Sequence, residues 1–439
     1  MCPPAGRVAA ATALAVCALL GPRVAGAGTG ADPFDPQGID PPSDQCTLRD
    51  PSPAPADMTV PDEALAADDR CGTTDPQAAS GHQTYNAVQP PGDTEAFPPG
   101  GEQMVAEDGD ATASDPASGN QESSNAPDTD PRTINGVYAL NVEDCSDDTF
   151  ELYAHNPDLD GFSLRAAWSD VEPLEAAYDW SRFDPALACA ASHGKKIMLR
   201  IIPGVRAPEW VYEAGAARFD FVDDNPEHPT YGQVVSMPLP WDPVFLEKWF
   251  DLVAVFGARY ADDPAVTIVA ITGPATGGEM HLGDKNNPDR WHALGYSNEL
   301  LIATWELTVD AFVAAFPHQH GSVAIANPVW FDNPHEVRET VGAYCAQVGG
   351  GVQGNWLSAA TLPESPLYQQ VASQAAITPV GFQMLCSAQQ ERFGGPLSTA
   401  IDLGLDAGAS FLEFYRPDIT AFPDDIAFAH QQLNLTAVE

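Results

Sequence analysis

From Ile134 to the end of the chain, short β-rich runs alternate with helical stretches, and no other feature restricts the fold as severely. The runs are Ile134 to Leu140, Gly161 to Trp168, Lys196 to Pro203, Val266 to Gly273, Ser322 to Asn327, Gly351 to Leu357, Pro379 to Leu385 and Ser410 to Tyr415. Between them lie helix-like segments such as Phe183 to His193, Pro243 to Tyr260, Asn298 to Phe316 and Leu397 to Ala407. Parallel strands need crossover connections, and helices serving as crossovers cover the sheet. Eight strand-helix units close on themselves, so the alternation predicts an α/β fold, a single (β/α)8 barrel over residues 134–439. A doubly wound open sheet is disfavoured, because no Gly-rich phosphate turn follows the first strand.

The N-terminal third is a different kind of polymer. Arg7, the apolar stretch Val8 to Leu20 and the small residues Ala25-Gly26-Ala27 predict a secretory signal peptide over residues 1–27, too short to span a bilayer comfortably. Val16 before Cys17 is not small, so a lipid anchor is not expected. Residues 28–133 are crowded with Pro, Gly, Ser, Asp and Ala and hold 21 acidic against three basic residues. Such a segment buries too little apolar surface to offset its ordering entropy and reads as a disordered acidic linker. The chain is therefore expected to be secreted, periplasmic or on the cell surface, with no transmembrane segment after signal removal.

Residues 134–439 contain all nine Trp and all four Lys, with 41 acidic against 14 basic residues. That acidity argues against nucleic acid or an anionic membrane as partner. Once the signal is removed, Cys46, Cys71, Cys145, Cys189, Cys345 and Cys386 remain, an even number that suggests disulfides in an exported chain without choosing their pairing. No CxxC or HExxH spacing and no Gly-x-Ser-x-Gly elbow is present, so neither a metal, a cofactor nor a serine triad is expected.

Alternation inside the runs locates the polar residues. Ser163, Arg165 and Ala167 share one face of the second run, and Met198, Arg200 and Ile202 one face of the third. The more continuously apolar face should meet the helices, which sends Arg165 and Arg200 toward the barrel axis. The same logic sends Gln353, Asn355, Gln383, Glu413 and Tyr415 inward. Buried guanidiniums need strongly accepting partners, and Glu413 is the obvious one.

A second carboxylate, Glu279, follows the fourth run through Gly273-Pro-Ala-Thr-Gly-Gly, where Gly277 and Gly278 allow the backbone to turn it over the mouth. Glu279 and Glu413 thus end strands four and eight and face each other across the rim, the pairing that glycosidic-bond hydrolysis requires. Trp168, Trp330 and Trp356 at strand ends and Trp210 and Trp241 in long loops are read as sugar-stacking residues. Trp249, Trp305 and Trp180 read more simply as core.

The runs Gly161-Phe-Ser-Leu-Arg165-Ala-Ala-Trp168-Ser-Asp-Val-Glu172-Pro, Tyr178-Asp-Trp180-Ser-Arg-Phe-Asp184, Gly194-Lys-Lys-Ile-Met-Leu-Arg200 and Ala207-Pro-Glu-Trp210 resemble the first half of bacterial TIM-barrel glycoside hydrolases of the β-galactosidase and cellulase kind. The similarity runs over roughly residues 134–439 and is strongest in strands two to four. That clan usually places Asn directly before an acid/base Glu at strand four and a nucleophilic Glu at strand seven. Here strand four ends Thr272-Gly273-Pro274 with Glu279 further on, and strand seven presents Gln383. The resemblance implies a secreted glycoside hydrolase acting on an oligo- or polysaccharide without a cofactor. Glu279 would be its general acid, Glu413 its base or nucleophile, and Arg165, Arg200, Asn355, Gln383 and Tyr415 would orient the sugar. The alternative is a carbohydrate-binding pseudoenzyme on the same barrel, which Gln383 favours.

Overall fold

Eight parallel strands close into a ring in the computed structural model, which describes residues 134–140, 152–225 and 228–435. They are β1 (Gly136–Leu140), β2 (Gly161–Ala167), β3 (Lys196–Ile202), β6 (Val266–Ile271), β7 (His320–Ala324), β8 (Gly351–Leu357), β9 (Gly381–Met384) and β10 (Phe411–Phe414), with β10 pairing back onto β1. The eight expected runs and their order are therefore the observed barrel. The expected signal peptide and acidic linker, residues 1–133, lie outside the described residues.

Two strands escaped the sequence reading. β4 (Arg218–Val222) and β5 (Val234–Pro238) form an antiparallel hairpin between β3 and β6, where the sequence suggests only a long loop. β4 does alternate, with Phe219 buried and Arg218, Asp220 and Val222 exposed, but the run is short and lies in a long, Pro-rich connection.

The helices are α1 (Trp168–Val171), α2 (Asp184–Ser192), α3 (Glu209–Glu213), α4 (Pro243–Tyr260), α5 (Pro288–Ala293), α6 (Asn298–Ala315), α7 (Pro334–Gln347), α8 (Pro366–Gln374), α9 (Leu397–Asp406), α10 (Arg416–Ala421) and α11 (Pro423–Leu435). α4 shows how locally they are specified. The Asp242 carboxylate accepts from the Val244 and Phe245 amides at 2.9 and 3.0 Å, and Pro243 starts the helix where no N–H is needed. Phe245, Leu246, Trp249, Leu252, Val253 and Phe256 recur at helical spacing and are all buried. Each such side chain contributes about 1.5–3 kcal/mol on burial.

Burial separates two cores, as strand alternation requires. Phe162, Leu164, Ile197, Leu199 and Ile201 face the helices in the outer core, while Ile134, Tyr138, Met198, Ile268, Ala270 and Phe411 form a separate apolar cluster inside the barrel. β6 is buried along its whole length and reads Val-Thr-Ile-Val-Ala-Ile, because both of its faces are covered. Trp249 and Trp305 are fully buried core residues, as expected. The disulfide expectation needs correction for Cys345 and Cys386, which are buried thiols between apolar neighbours. Cys46, Cys71 and Cys145 lie outside the described residues.

Candidate active site

Within the barrel, polar side chains line up with the residues of the inner apolar cluster. Arg165 and Arg200 are register partners on β2 and β3, and Glu413 and Gln383 are partners on β10 and β9. Arg165 Nη2 donates to Gln383 Oε1, and Arg200 Nη1 approaches the same oxygen at 3.5 Å. Arg200 Nη2 lies 3.6 Å from Glu413 Oε2, and both side chains are fully buried. Gln353 Nε2, from β8, donates to that same Glu413 oxygen. Two guanidiniums side by side would repel, so the Gln383 oxygen that both approach and the Glu413 carboxyl beside Arg200 help offset their burial.

The network leaves hydrogen-bonding capacity over. Glu413 Oε1, Gln353 Oε1, Gln383 Nε2 and both amide atoms of Asn355 are buried without a hydrogen-bond partner among the described residues. Donors and acceptors that are desolvated and unmatched are costly in a core built for stability alone, which makes them candidates for matching a polyhydroxyl ligand.

Glu279 sits in the loop after β6, and that loop is tightly constrained. Thr272 Oγ1 donates to the Ile201 carbonyl at 2.6 Å, and the Thr276 amide and hydroxyl both donate to the His281 carbonyl, at 2.8 and 2.9 Å. Gly204, at φ +60°, lets its own loop pass so close that a Cβ there would lie 2.1 Å from the Ala275 carbonyl oxygen. The Glu279 carboxylate, 5% exposed, lines a cleft of about 220 Å³ between this loop and the β4–β5 hairpin. His281 Nε2 lies 3.2 Å from Glu279 Oε2, while His281 Nδ1 lies 3.2 Å from the Asn327 carbonyl. A carbonyl only accepts, so Nδ1 carries a proton, and Nε2 is the nitrogen turned toward the Glu279 carboxyl.

The aromatic residues divide. Trp168 is fully buried against Trp210, Phe245 and Trp249, and its Nε1 donates to Glu172 at 2.9 Å; this places it in the packing rather than on the sugar-facing rim suggested by its strand-end position. Trp210 is half-buried and donates to the Glu172 carbonyl at 2.9 Å. Trp241 packs on Trp291 and Tyr296 and is 6% exposed. Trp330 is half-buried beneath Lys285, whose Nζ lies 5.5 Å from its ring, and Trp356 turns outward from β8 onto Phe382. Tyr415 follows β10 and is buried in the outer core.

Several residues near the mouth escaped the sequence reading. Asp223, on the hairpin, is pushed up by burial, but hydrogen bonds from Thr230 and His228 outweigh this and hold its carboxyl below the usual range. Burial raises the Glu172 carboxyl, against the opposing hydrogen bonds from Trp168 and Ala176. On α7, Arg338 is fully buried and donates to Asn327 Oδ1 at 2.8 Å, to Gln370 and to His335 Nδ1 at 2.9 Å. No sequence spacing marks these as a group, since they meet only through the fold. No cluster of His, Cys, Asp and Glu suited to a metal ion occurs among the described residues, and no described helix is long and apolar enough to cross a membrane.

Comparison with known proteins agrees with the resemblance seen in the sequence. A family model described as beta-galactosidase matches residues 157–279, from just before β2 to Glu279 itself. No curated protein matches the chain. Solved structures similar to it include xylanase B from Clostridium stercorarium F9, with 13% identity, 64% of this chain and 85% of that one covered, and a TM-score of 0.39. Xylanase 10B from Thermotoga petrophila RKU-1 shares 10% identity over 70% of this chain and 96% of that one, with a TM-score of 0.44. A beta-galactosidase from the psychrophilic Marinomonas ef1 shares 11% identity with a TM-score of 0.43; 69% of this chain is covered, and it spans 60% of that enzyme.

Proposed function

We propose that the chain is a glycoside hydrolase with Glu279 as general acid and Glu413 as base or nucleophile, acting on an oligo- or polysaccharide at the barrel mouth. The observation that carries this reading is the inward polar network of Arg165, Arg200, Gln353, Gln383 and Glu413 on five strands of the barrel, together with Glu279 in a cleft-lining loop that follows β6 of the same barrel. Barrel enzymes place their chemistry at the C-terminal ends of their strands. Glu413 is held by one cation and one amide, and its carboxyl group is the candidate to face developing positive charge on a sugar ring. Glu279, with His281 Nε2 3.2 Å from its carboxyl, is the candidate to give a proton to a leaving oxygen. Arg165, Arg200, Asn355 and Gln383 would hold sugar hydroxyls, with Trp330 as the stacking platform. No cofactor enters this scheme. Export remains part of the proposal, on the charged, apolar and small-residue order of residues 1–27, as does the division into signal, acidic linker and barrel.

One observation favours a second reading, a carbohydrate-binding protein without turnover. Gln383 occupies the strand where the resembling enzymes carry a nucleophilic carboxylate, and it accepts from both arginines. Incubating the protein with aryl glycosides and polysaccharides separates the two. Sugar release supports the enzyme; binding without release supports the pseudoenzyme.

A further inference from the structure

A second, smaller cavity of about 20 Å³ adjoins the cleft at His281, which lines both. It lies outside the barrel wall, where the start of α7, the start of α8 and the outward face of β8 meet: His335 and Arg338 come from α7, Pro366 from α8 and Trp356 from β8. Four features give it the character of an anion site. Helices of 14 and 9 residues both begin at its wall, and helix N-termini carry partial positive charge, although Pro334 and Pro366 supply no N–H and Ser365 caps the Tyr368 amide. The fully buried Arg338 guanidinium forms part of the lining; Glu339 lies 3.5 Å from its Nη2, but none of the described lining residues is itself acidic in a chain of net charge −43. The Trp356 indole Nε1, on a residue 1% exposed, is buried without a hydrogen-bond partner. Finally, the His335 imidazole lines it, with Nδ1 2.9 Å from the Arg338 guanidinium and 3.3 Å from Asn327 Oδ1.

Size selects among anions. A single water needs roughly 10–15 Å³ on this measure, so the cavity admits a small head group such as a carboxylate and not a sugar ring. Half-buried Trp330 also lines it, which places an apolar ring face where the rest of a pyranose would lie. We propose that this cavity takes the carboxylate of a uronic acid unit, making an acidic glycan the substrate class of the adjoining cleft; this rests on the glycosidase reading above. The chain's overall negative charge opposes a polyanion at long range. That field is screened beyond about 8 Å at physiological ionic strength, and a desolvated local site outweighs it.

The test is calorimetric titration of the full chain with glucuronate and galacturonate, with glucose and galactose as neutral counterparts and sulfated glucose as the alternative anion. At least one uronate should bind about tenfold or more tighter than its neutral counterpart, the usual scale for a charge-assisted hydrogen bond. Trp356→Phe, which keeps an aromatic but smaller side chain and removes the donor, and His335→Gln should each cut that preference severalfold, with circular dichroism verifying the fold. Equal binding of uronates and neutral sugars overturns the proposal, as does a preference unchanged in both variants or a sulfated sugar outcompeting both uronates. Binding is read without turnover. A chain that hydrolyses neutral glycosides but shows no uronate preference therefore loses only this inference, and uronate binding without hydrolysis loses only the glycosidase reading.

Discussion

Replacing Arg200 by Met tests whether the barrel axis holds a real ion pair. Arg200 Nη2 and Glu413 Oε2 are 3.6 Å apart with both side chains fully buried. At an effective dielectric near 20, Coulomb's law gives this pair about 4–5 kcal/mol of attraction. Removing one partner of a buried pair generally costs about 3–5 kcal/mol, because the remaining charge stays desolvated. Gln353 still donates to Glu413 in the variant, which argues for the lower end of that range. Against a typical domain stability of about 5–15 kcal/mol, such a loss is easily read from a urea midpoint. The double variant Arg200→Met with Glu413→Gln removes both charges and should recover part of the loss, giving a coupling energy of about 2 kcal/mol or more. If the two single effects add to within about 0.5 kcal/mol, the pair does not act as one unit and the inward assignment of the two strands loses its energetic basis.

Three further outcomes follow from other parts of the structure. Burial holds the Glu172 carboxyl above its ordinary value, so its contribution is present below the unfolded pKa and is lost as pH rises through the folded one; Glu172→Gln should gain Tm relative to the parent as pH rises through that window, and a pH-independent difference would refute this. Gly204→Ala puts a Cβ against the Ala275 and Thr276 carbonyls at a left-handed φ, so it should lower Tm by several degrees and displace the loop carrying Glu279, lowering turnover as well; a fully active, equally stable variant would show that the loop approach is not constrained. Deleting residues 28–133 should leave the barrel's melting temperature unchanged, since that segment offers little apolar surface to dock, and a drop of several degrees in a thermal scan would contradict the linker reading.

Legibility in the sequence depended on how local the signal was. Period-2 alternation is a local signal, and it put Arg165, Arg200, Gln353, Gln383 and Glu413 on the inner face because a strand buried on both sides still has to choose where its polar residues go. The hairpin of β4 and β5 was hidden although Arg218-Phe219-Asp220-Phe221 alternates, because the run is short and Pro-rich neighbours imitate a loop. Trp168 is ambiguous at the level of sequence: a Trp ending a barrel strand can face the mouth or the helices, and only the arrival of Trp210, Phe245 and Trp249 from distant segments buries it. His281 could be suspected from its place two residues after Glu279. His335, Arg338 and Trp356 could not, because three separate elements bring them to one cavity.

The division of labour between the two carboxylates is the claim on which the account depends. The measurement that tests it most directly is turnover by Glu279→Gln and Glu413→Gln on glycosides with good and poor leaving groups. General-acid help is worth about 10²–10⁴-fold and matters only where the leaving oxygen needs a proton. Glu279→Gln should therefore lose most of its activity on poor leaving groups and much less on activated aryl glycosides, while Glu413→Gln should lose both. Equal losses by the two variants on every substrate would contradict the assignment, and parent-like turnover by Glu413→Gln would take β10 out of the chemistry.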